Sequence, residues 1–416
     1  MVTSIHMTFR PATVWEASIA ANVTFGTGAV RELEAIATEF GADRPLVLTD
    51  RGVREAGIID AVEDGLGSID AEVFDAVDPD PTLTTFEAAI ERAAAVDPDL
   101  VIGVGGGSAM DVAKTTGIVA AHGGDVLDYV APPTGEGVPV PGRGIPTVAV
   151  ATTAGTGSET SPVSVISLPD EDLKVGISSR YQRPDVALVD PALTVTLPPG
   201  PTAASGMDAL SHAIEAYVTR PSHARERPAH RGDRPVYNGR TPLTDQLARP
   251  SIERIGNNLR VAVETGEHLH ARRELSLASL MAGMAFTNAG LGATHAISMA
   301  TGAVMHTPHG VTIAYTLPAV IRYNAAVVPE RYAAIAAMLG EETAGMSTHT
   351  AALAAADAVE RLAADVGIEG GLAALDVGTD DVSHLAERAS QLERLLVGNP
   401  RRTDVDDLEE IIRAAL

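Results

Sequence analysis

Short apolar runs alternate with amphipathic stretches through the first 200 residues. Runs at 44–50 (RPLVLTD), 100–104 (LVIGV), 144–151 (GIPTVAVA) and 186–189 (VALV) read as strands. Helical periodicity fills 29–40, 84–95 and 109–121 between them. Helices inserted between strands imply parallel pairing, so an open α/β sheet is expected. From Thr202 onward the pattern changes to long alanine-rich amphipathic segments at 202–219, 250–265, 271–288 and 331–338, which predict a helical second half. The change falls near Leu197-Pro198-Pro199-Gly200, where prolines and glycine break both patterns. Two domains are therefore expected, 1–200 and 201–416. Residues 220–249 fit neither pattern; rich in proline and arginine, they read as a long excursion inside the helical half.

The chain has 416 residues and no cysteine, which excludes disulfides, thiolate metal sites, iron–sulfur clusters and cysteine nucleophiles. With 55 acidic against 30 basic residues the formal net charge is −25, so the surface repels phosphate backbones and nucleic acid is not an expected partner. The N-terminal stretch has no apolar core of a signal peptide, and no run approaches the ~18 apolar residues of a membrane span. A soluble cytoplasmic protein that does not engage membranes is expected. Of the 30 basic residues only Lys114 and Lys174 are lysines. Codon bias or a salt-rich cytoplasm would each produce that skew.

Two loops carry the first chemistry. The run 100–104 leads into Gly105-Gly106-Gly107-Ser108 and then a helix through Asp111 and Lys114. Glycines let the backbone approach a ligand, and free N–H groups at a helix start favour an anion. The spacing is neither the G-x-G-x-x-G fingerprint nor a Walker loop. A second loop after a strand, Thr152 to Glu159 (TTAGTGSE), is dense in small hydroxyl donors. Two such loops at parallel strand ends point to a nucleotide in the crevice above the sheet. Asp50 closes an earlier strand; there a carboxylate either bonds ribose hydroxyls, favouring NAD over NADP, or serves an ordinary turn.

The second chemistry is metal binding. The helix 202–219 carries Asp208 and His212 at i, i+4, on one face. Further on come His295 and, in Pro308-His309-Gly310, His309, with His306 nearby. One carboxylate with imidazoles suits zinc or iron(II) rather than magnesium or calcium. The same residues are also compatible with a surface Asp–His pair and a plain turn.

Taken together, GGGSAMDVAK (105–114), TTAGTGSE (152–159), KVGIS (174–178), ALVDPALT (187–194), GMDALSHAIEAYV (206–218), MAFTNAGLGATHA (284–296) and PHG (308–310) resemble the iron-containing (group III) alcohol dehydrogenase family across nearly the whole chain. The resemblance implies an N-terminal parallel-sheet dinucleotide-binding domain and a C-terminal helical metal-binding domain, an architecture shared with dehydroquinate synthases. It implies Asp208, His212, His295 and His309 as ligands of one Fe2+ or Zn2+. It implies NAD, with NADP less favoured, along Asp50, Gly105, Gly106, Gly107, Ser108, Asp111, Thr152, Thr153 and Lys174, and a possible dimer or larger homo-oligomer. One position departs from the pattern: a histidine common in the family four residues after His295 is here Met299, and a thioether cannot relay a proton. His306, Ser298 or a water is then the expected substitute, with Lys174 beside it as a catalytic residue.

Asp128-Tyr129-Val130-Ala131-Pro132, Gly135-Glu136-Gly137, the excursion and Met299 further resemble the hydroxyacid–oxoacid transhydrogenase branch. Arg220, Arg225, Arg227, Arg231, Arg234 and Arg240 of the excursion would offer forks to a carboxylate or else pack on a surface. The expected function is metal-assisted hydride transfer between NAD(P) and a small primary alcohol or aldehyde, or a hydroxy acid. The alternatives are a transhydrogenase that retains its nucleotide and, less favoured, a dehydroquinate synthase-like lyase.

Overall fold

The computed structural model describes residues 15–19, 22–226, 228–230 and 234–416. Six parallel strands form one sheet: β1 (Asn22–Phe25), β2 (Pro45–Leu48), β3 (Glu72–Phe74), β4 (Leu100–Gly105), β5 (Thr147–Ala151) and β8 (Val186–Val189), in the order β1-β8-β5-β4-β2-β3. Helices cover both faces: α1 (Leu33–Glu39), α2 (Arg51–Glu55) and α3 (Ile58–Leu66), then α4 (Leu83–Val96) and α5 (Gly107–His122). The alternation of side chains along each strand divides the core. Val47, Ile102, Val104 and Val150 join the cluster around Leu33 and Val62, whereas Leu46, Leu48 and Val101 join the one around Phe86 and Ile118. Gly103 lets α5 lie close on β4, since a Cβ there would stand 2.7 Å from the Ala113 Cβ and 3.0 Å from the Met110 Cα.

The chain runs outward from β2 to β3, then returns to place β4 on the other side of β2. The strand order therefore reverses between β2 and β4, the place in open α/β sheets where ligands sit outside the carboxyl ends. Asp50 follows β2, and the glycine loop follows β4.

An antiparallel hairpin, β6 (Val163–Leu168) with β7 (Leu173–Ser178), stands apart from the main sheet and pairs Ser167 with Lys174. It has no counterpart among the predicted strands; within 163–178 the sequence pattern singles out only the motif KVGIS (174–178).

The helical half comprises α6 (Pro199–Val218), α7 (Pro242–Glu264), α8 (Leu269–Ala289), α9 (Ala293–Met305), α10 (His309–Asn324), α11 (Pro329–Met338), α12 (Thr348–Asp365), α13 (Val382–Ser390), α14 (Glu393–Leu396) and α15 (Val405–Ala414). Small residues let these helices close up. A Cβ on Gly206 of α6 would collide with Leu259 of α7, and one on Gly310 of α10 with the Ala204 carbonyl. Helix α6 is buried along almost its whole length, so it is the axis of this half rather than a surface helix.

Two boundary expectations are corrected. Pro199-Gly200-Pro201 form the first turn of α6 instead of a break, because proline at the start of a helix surrenders an N–H that has no intrahelical partner anyway. The excursion ends sooner than 249: Thr241 caps α7 through the Thr244 N–H, and Pro250 sits inside that helix. No single helix among the described residues is long and apolar enough to cross a membrane; α8 and α9 pass such a test only as a pair bent by 100°.

Candidate active site

Three helices converge on one carboxylate. Asp208 and His212 come from α6, His295 from the first turn of α9, and His309 from the first residue of α10. The Nε2 atoms of His212, His295 and His309 lie 3.7, 3.6 and 3.6 Å from Asp208 Oδ1. Asp208, His295 and His309 alone offer donor atoms all within 4.8 Å of one another. His212 faces the same carboxylate oxygen, its ring stacked on that of His295 at 4.6 Å.

The other nitrogen of each ring is tied back. His212 Nδ1 meets the Gly155 carbonyl at 3.2 Å, His295 Nδ1 the Glu215 carboxylate at 2.6 Å, and His309 Nδ1 the Ser298 hydroxyl at 3.2 Å. With carbonyl and carboxylate oxygens as partners, Nδ1 of His212 and His295 is the donor by assignment, and Nε2 presents a lone pair inward. Phe286 stacks on the His212 ring at 4.2 Å and fixes its plane.

Asp208 Oδ1 and His295 Nε2 are buried and have no hydrogen-bond partner. Buried polar atoms are ordinarily satisfied, so this pair calls for something to sit between them. Donors around a tetrahedral ion with ~2.1 Å bonds stand roughly 3.4 Å apart, close to the spacings seen here. Burial opposes the charge of Asp208, yet His212, His295 and His309 hold its carboxyl well below the usual range. Burial pushes His212 down to about 4, which keeps it a neutral ligand. For His295 burial works in the same direction, but Glu215 and Asp208 overcome it and raise the ring to about 9. The donor set fits a divalent Fe2+ or Zn2+ ion, whose charge would take the place of that proton.

At the sheet, the start of α5 has no side-chain cap, so its first N–H groups point at the crevice above Gly106 and Gly107. Thr153 approaches Gly106 and has a buried hydroxyl with no partner. Thr152 bonds the Gly105 carbonyl through its backbone N–H. Asp50 caps α2 through the Val53 N–H at 2.9 Å, while its second oxygen lies 3.4 Å from where a Gly105 Cβ would be. The turn role and the crevice position therefore coexist at Asp50. Ser108 donates to the Pro79 carbonyl at 2.5 Å. Asp111 does not reach the crevice: it is buried against Lys114 at 2.7 Å, Ser158 at 2.5 Å and the Val165 N–H at 2.8 Å, and its acceptor capacity is spent on the framework.

Lys174, delivered by β7, pairs with Asp80 at 2.9 Å, and its ammonium is near enough to His309 to act on that ring's charge. His306 is not among the converging imidazoles; it ends α9 with φ 53° and is exposed. Met299 packs, partly buried, against the helical core. Of the excursion arginines, Arg234 grips Glu16 at 2.8 Å and Arg225 donates to the Tyr237 carbonyl, while Arg227 and Arg231 lie outside the described residues. The packing role of this loop is thus the one with visible partners.

Sequence reasoning missed Glu215, Gly155, Phe286 and Asp80. Glu215 had a legible signal, since 208, 212 and 215 share one face of an otherwise apolar helix. Asp80 had none. The loop Thr152–Glu159 also joins the two halves: a Cβ on Gly155 would collide with Ser205 of α6, and one on Gly157 with Gly283 of α8.

Residues 20–191 match the family described as iron-containing alcohol dehydrogenase, and 236–416 match its C-terminal part, the Fe-containing alcohol dehydrogenase family, C-terminal. The chain is 37% identical to the NAD-dependent methanol dehydrogenase of Bacillus methanolicus over 94% of this chain and 97% of the relative. It is 33% identical to the mitochondrial hydroxyacid-oxoacid transhydrogenase of Mus musculus over 95% and 89%. A solved 1,3-propanediol oxidoreductase superposes with a TM-score of 0.88 at 35% identity, covering 97% of this chain and all of that one.

Proposed function

The chain belongs to the iron-containing alcohol dehydrogenase family, enzymes that act on alcohols, and from that premise we propose that it oxidises a small primary alcohol with NAD at the Asp208 cluster. The observation that carries this reading is the convergence of three tied-back imidazoles on a buried carboxylate oxygen that has no partner of its own. Asp208, His212, His295 and His309 hold the divalent ion. When bound, that ion supplies Lewis acidity toward the substrate oxygen, and the nicotinamide supplies hydride chemistry.

The chain's own groups do the rest. Asp208 gives the charge that retains a dication. Gly155, Glu215 and Ser298 keep each ring's lone pair pointed inward without reorganisation. His309, with its side chain 41% exposed, borders the open side, where substrate enters. Lys174 and Asp80 stand on that side and provide a paired donor and acceptor for the alcohol proton in place of the imidazole that Met299 lacks. His306, exposed at the end of α9, is the less favoured carrier. Gly105, Gly106, Gly107 and Thr153 receive the pyrophosphate through backbone N–H groups, Thr152 ties the two loops together by donating to the Gly105 carbonyl, and Asp50 meets the ribose and disfavours a 2′-phosphate.

The test is a steady-state assay of Fe2+-loaded and Zn2+-loaded protein with NAD and NADP over a series of primary alcohols and hydroxy acids. Native mass determination of nucleotide content accompanies it. Turnover of alcohols with exchangeable NAD is expected. Stoichiometric retained nucleotide with exchange between hydroxy and oxo acids would replace this reading with the transhydrogenase one. Equal activity without any divalent ion would overturn the metal assignment.

A further inference from the structure

At the end of the sheet opposite the glycine loops, a cavity of about 260 Å3 opens between helix α5 and the strand entrances at Thr147 and Asp185. Arg143, Arg180 and Arg183 line it, with Asp185 as the carboxylate in its wall. Asp185 is already engaged, by Arg143 at 3.0 Å and by the Thr147 N–H at 3.0 Å. Arg183 donates through Nε to the Thr160 carbonyl at 2.9 Å, and among the described residues no carboxylate lies within ion-pair distance of its guanidinium. Burial pushes that guanidinium down to about 10. The stem of Lys114 forms part of the same wall; its ammonium is fully buried, bonded to Asp111, Ser158 and the Val163 carbonyl, and repels Arg183 from behind.

In a chain carrying 55 acidic and 30 basic residues, Arg183 is thus a partly buried cation without a carboxylate partner among the described residues, in a cavity edged by two further guanidiniums. Withdrawing a cation from water is unfavourable unless an anion and hydrogen bonds compensate it. The planar guanidinium fork matches the oxygens of a carboxylate or a phosphate.

We propose that this cavity is a binding site for a small oxyanion, a carboxylate or a phosphate, separate from the nucleotide crevice. Its occupant would act on catalysis from behind the sheet. Arg183 holds Thr160 and Lys114 holds Ser158, both at the end of the loop whose Gly155 carbonyl orients His212. An anion that fixes Arg183 stiffens that loop, so nucleotide binding tightens when the site is filled. The site stands on its own geometry and does not depend on which alcohol the enzyme uses.

The experiment is isothermal titration of inorganic phosphate and, separately, of malonate into the full chain saturated with NAD, at constant ionic strength. NAD occupies the glycine loops, the other place where such anions would bind. Saturable binding of at least one anion is expected, weakened about tenfold or more by Arg183→Gln, as the loss of a charge-assisted bond implies. Binding of phosphate alone identifies a phosphate-bearing ligand, and binding of malonate alone a carboxylate. Arg143, whose side chain is 78% exposed, gives a variant that does not disturb the core. If Arg183→Gln fails to fold, a several-fold weakening in Arg143→Gln supports the site. Undiminished binding in the folded variants, no binding of either anion, or binding seen only without NAD would each overturn the proposal.

Discussion

In the α/β half, the groups proposed to meet a ligand are backbone N–H groups at the start of α5 and on the neighbouring loop, presented by glycines; in the helical half they are four side chains, of which the three imidazoles are each held from behind by a second group. Backbone donors need space and a correct chain path, and a Cβ added at the glycine positions takes up that space. Side-chain donors need their rings oriented, and the orienting partners lie far away in sequence: Gly155 for His212 and Glu215 for His295. The first site is therefore sensitive to added bulk and tolerant of changes around it. The second is sensitive to any change in its supporting atoms.

Breaking the comparison at its strongest point means removing a ligand. Asp208→Asn or His295→Ala should lose bound metal and activity together, both to background, as read by elemental analysis and the NAD-linked assay. Glu215→Gln comes next, because it keeps the shape behind His295 while weakening the hold on its ring. Metal affinity measured by chelator competition should fall about 10–100-fold, the usual cost of losing an outer partner, with the helical content unchanged in circular dichroism.

Gly106→Ala tests the other half. The nearest atoms to a Cβ there are those of Thr153 at 3.6 Å, so urea unfolding should show a stability change within about 0.5 kcal/mol. The KM for NAD should nevertheless rise about tenfold, as the methyl stands where the pyrophosphate approaches. Equal losses of stability and nucleotide affinity would show that the loop is merely a structural turn. The smallest effect is expected for Asp50→Ser, which preserves the cap of α2 and so changes stability by only a few tenths of a kcal/mol. Its preference for NAD over NADP should narrow; an unchanged ratio of kcat/KM values would remove Asp50 from cofactor choice.

Much of this was visible in the chain. The fully buried strands β4, β5 and β8 are continuous apolar runs, and the glycine loop announces itself at the end of one of them. Asp208 and His212 are four residues apart on a single helix. The binding partners that cross the fold were not visible. His295 and Glu215 are 80 residues apart, and nothing local marks them as a pair. Pro250 concealed the first two turns of α7, because an interior proline reads as a boundary when α8 packing beside it is unknown. The hairpin β6–β7 was missed because its strands lie outside the main sheet and its partly exposed positions carry no clean alternation. Asp111 stands next to the glycine loop in sequence, but one helical turn carries its carboxylate inward to Lys114.

The scarcity of lysine has a practical consequence. Lys114 is sealed within the α/β core, and Lys174 is 15% exposed in its side chain and paired with Asp80 at the mouth of the cleft. Reagents directed at primary amines therefore find hardly any side chain to react with on this molecule. Reductive methylation with a carbon-13 label would place a spectroscopic reporter at Lys174, beside His309, with little background from the rest of the fold. The same paucity makes glutaraldehyde cross-linking and amine-coupled immobilisation poor choices for handling the protein, and carboxylate-directed coupling the natural one.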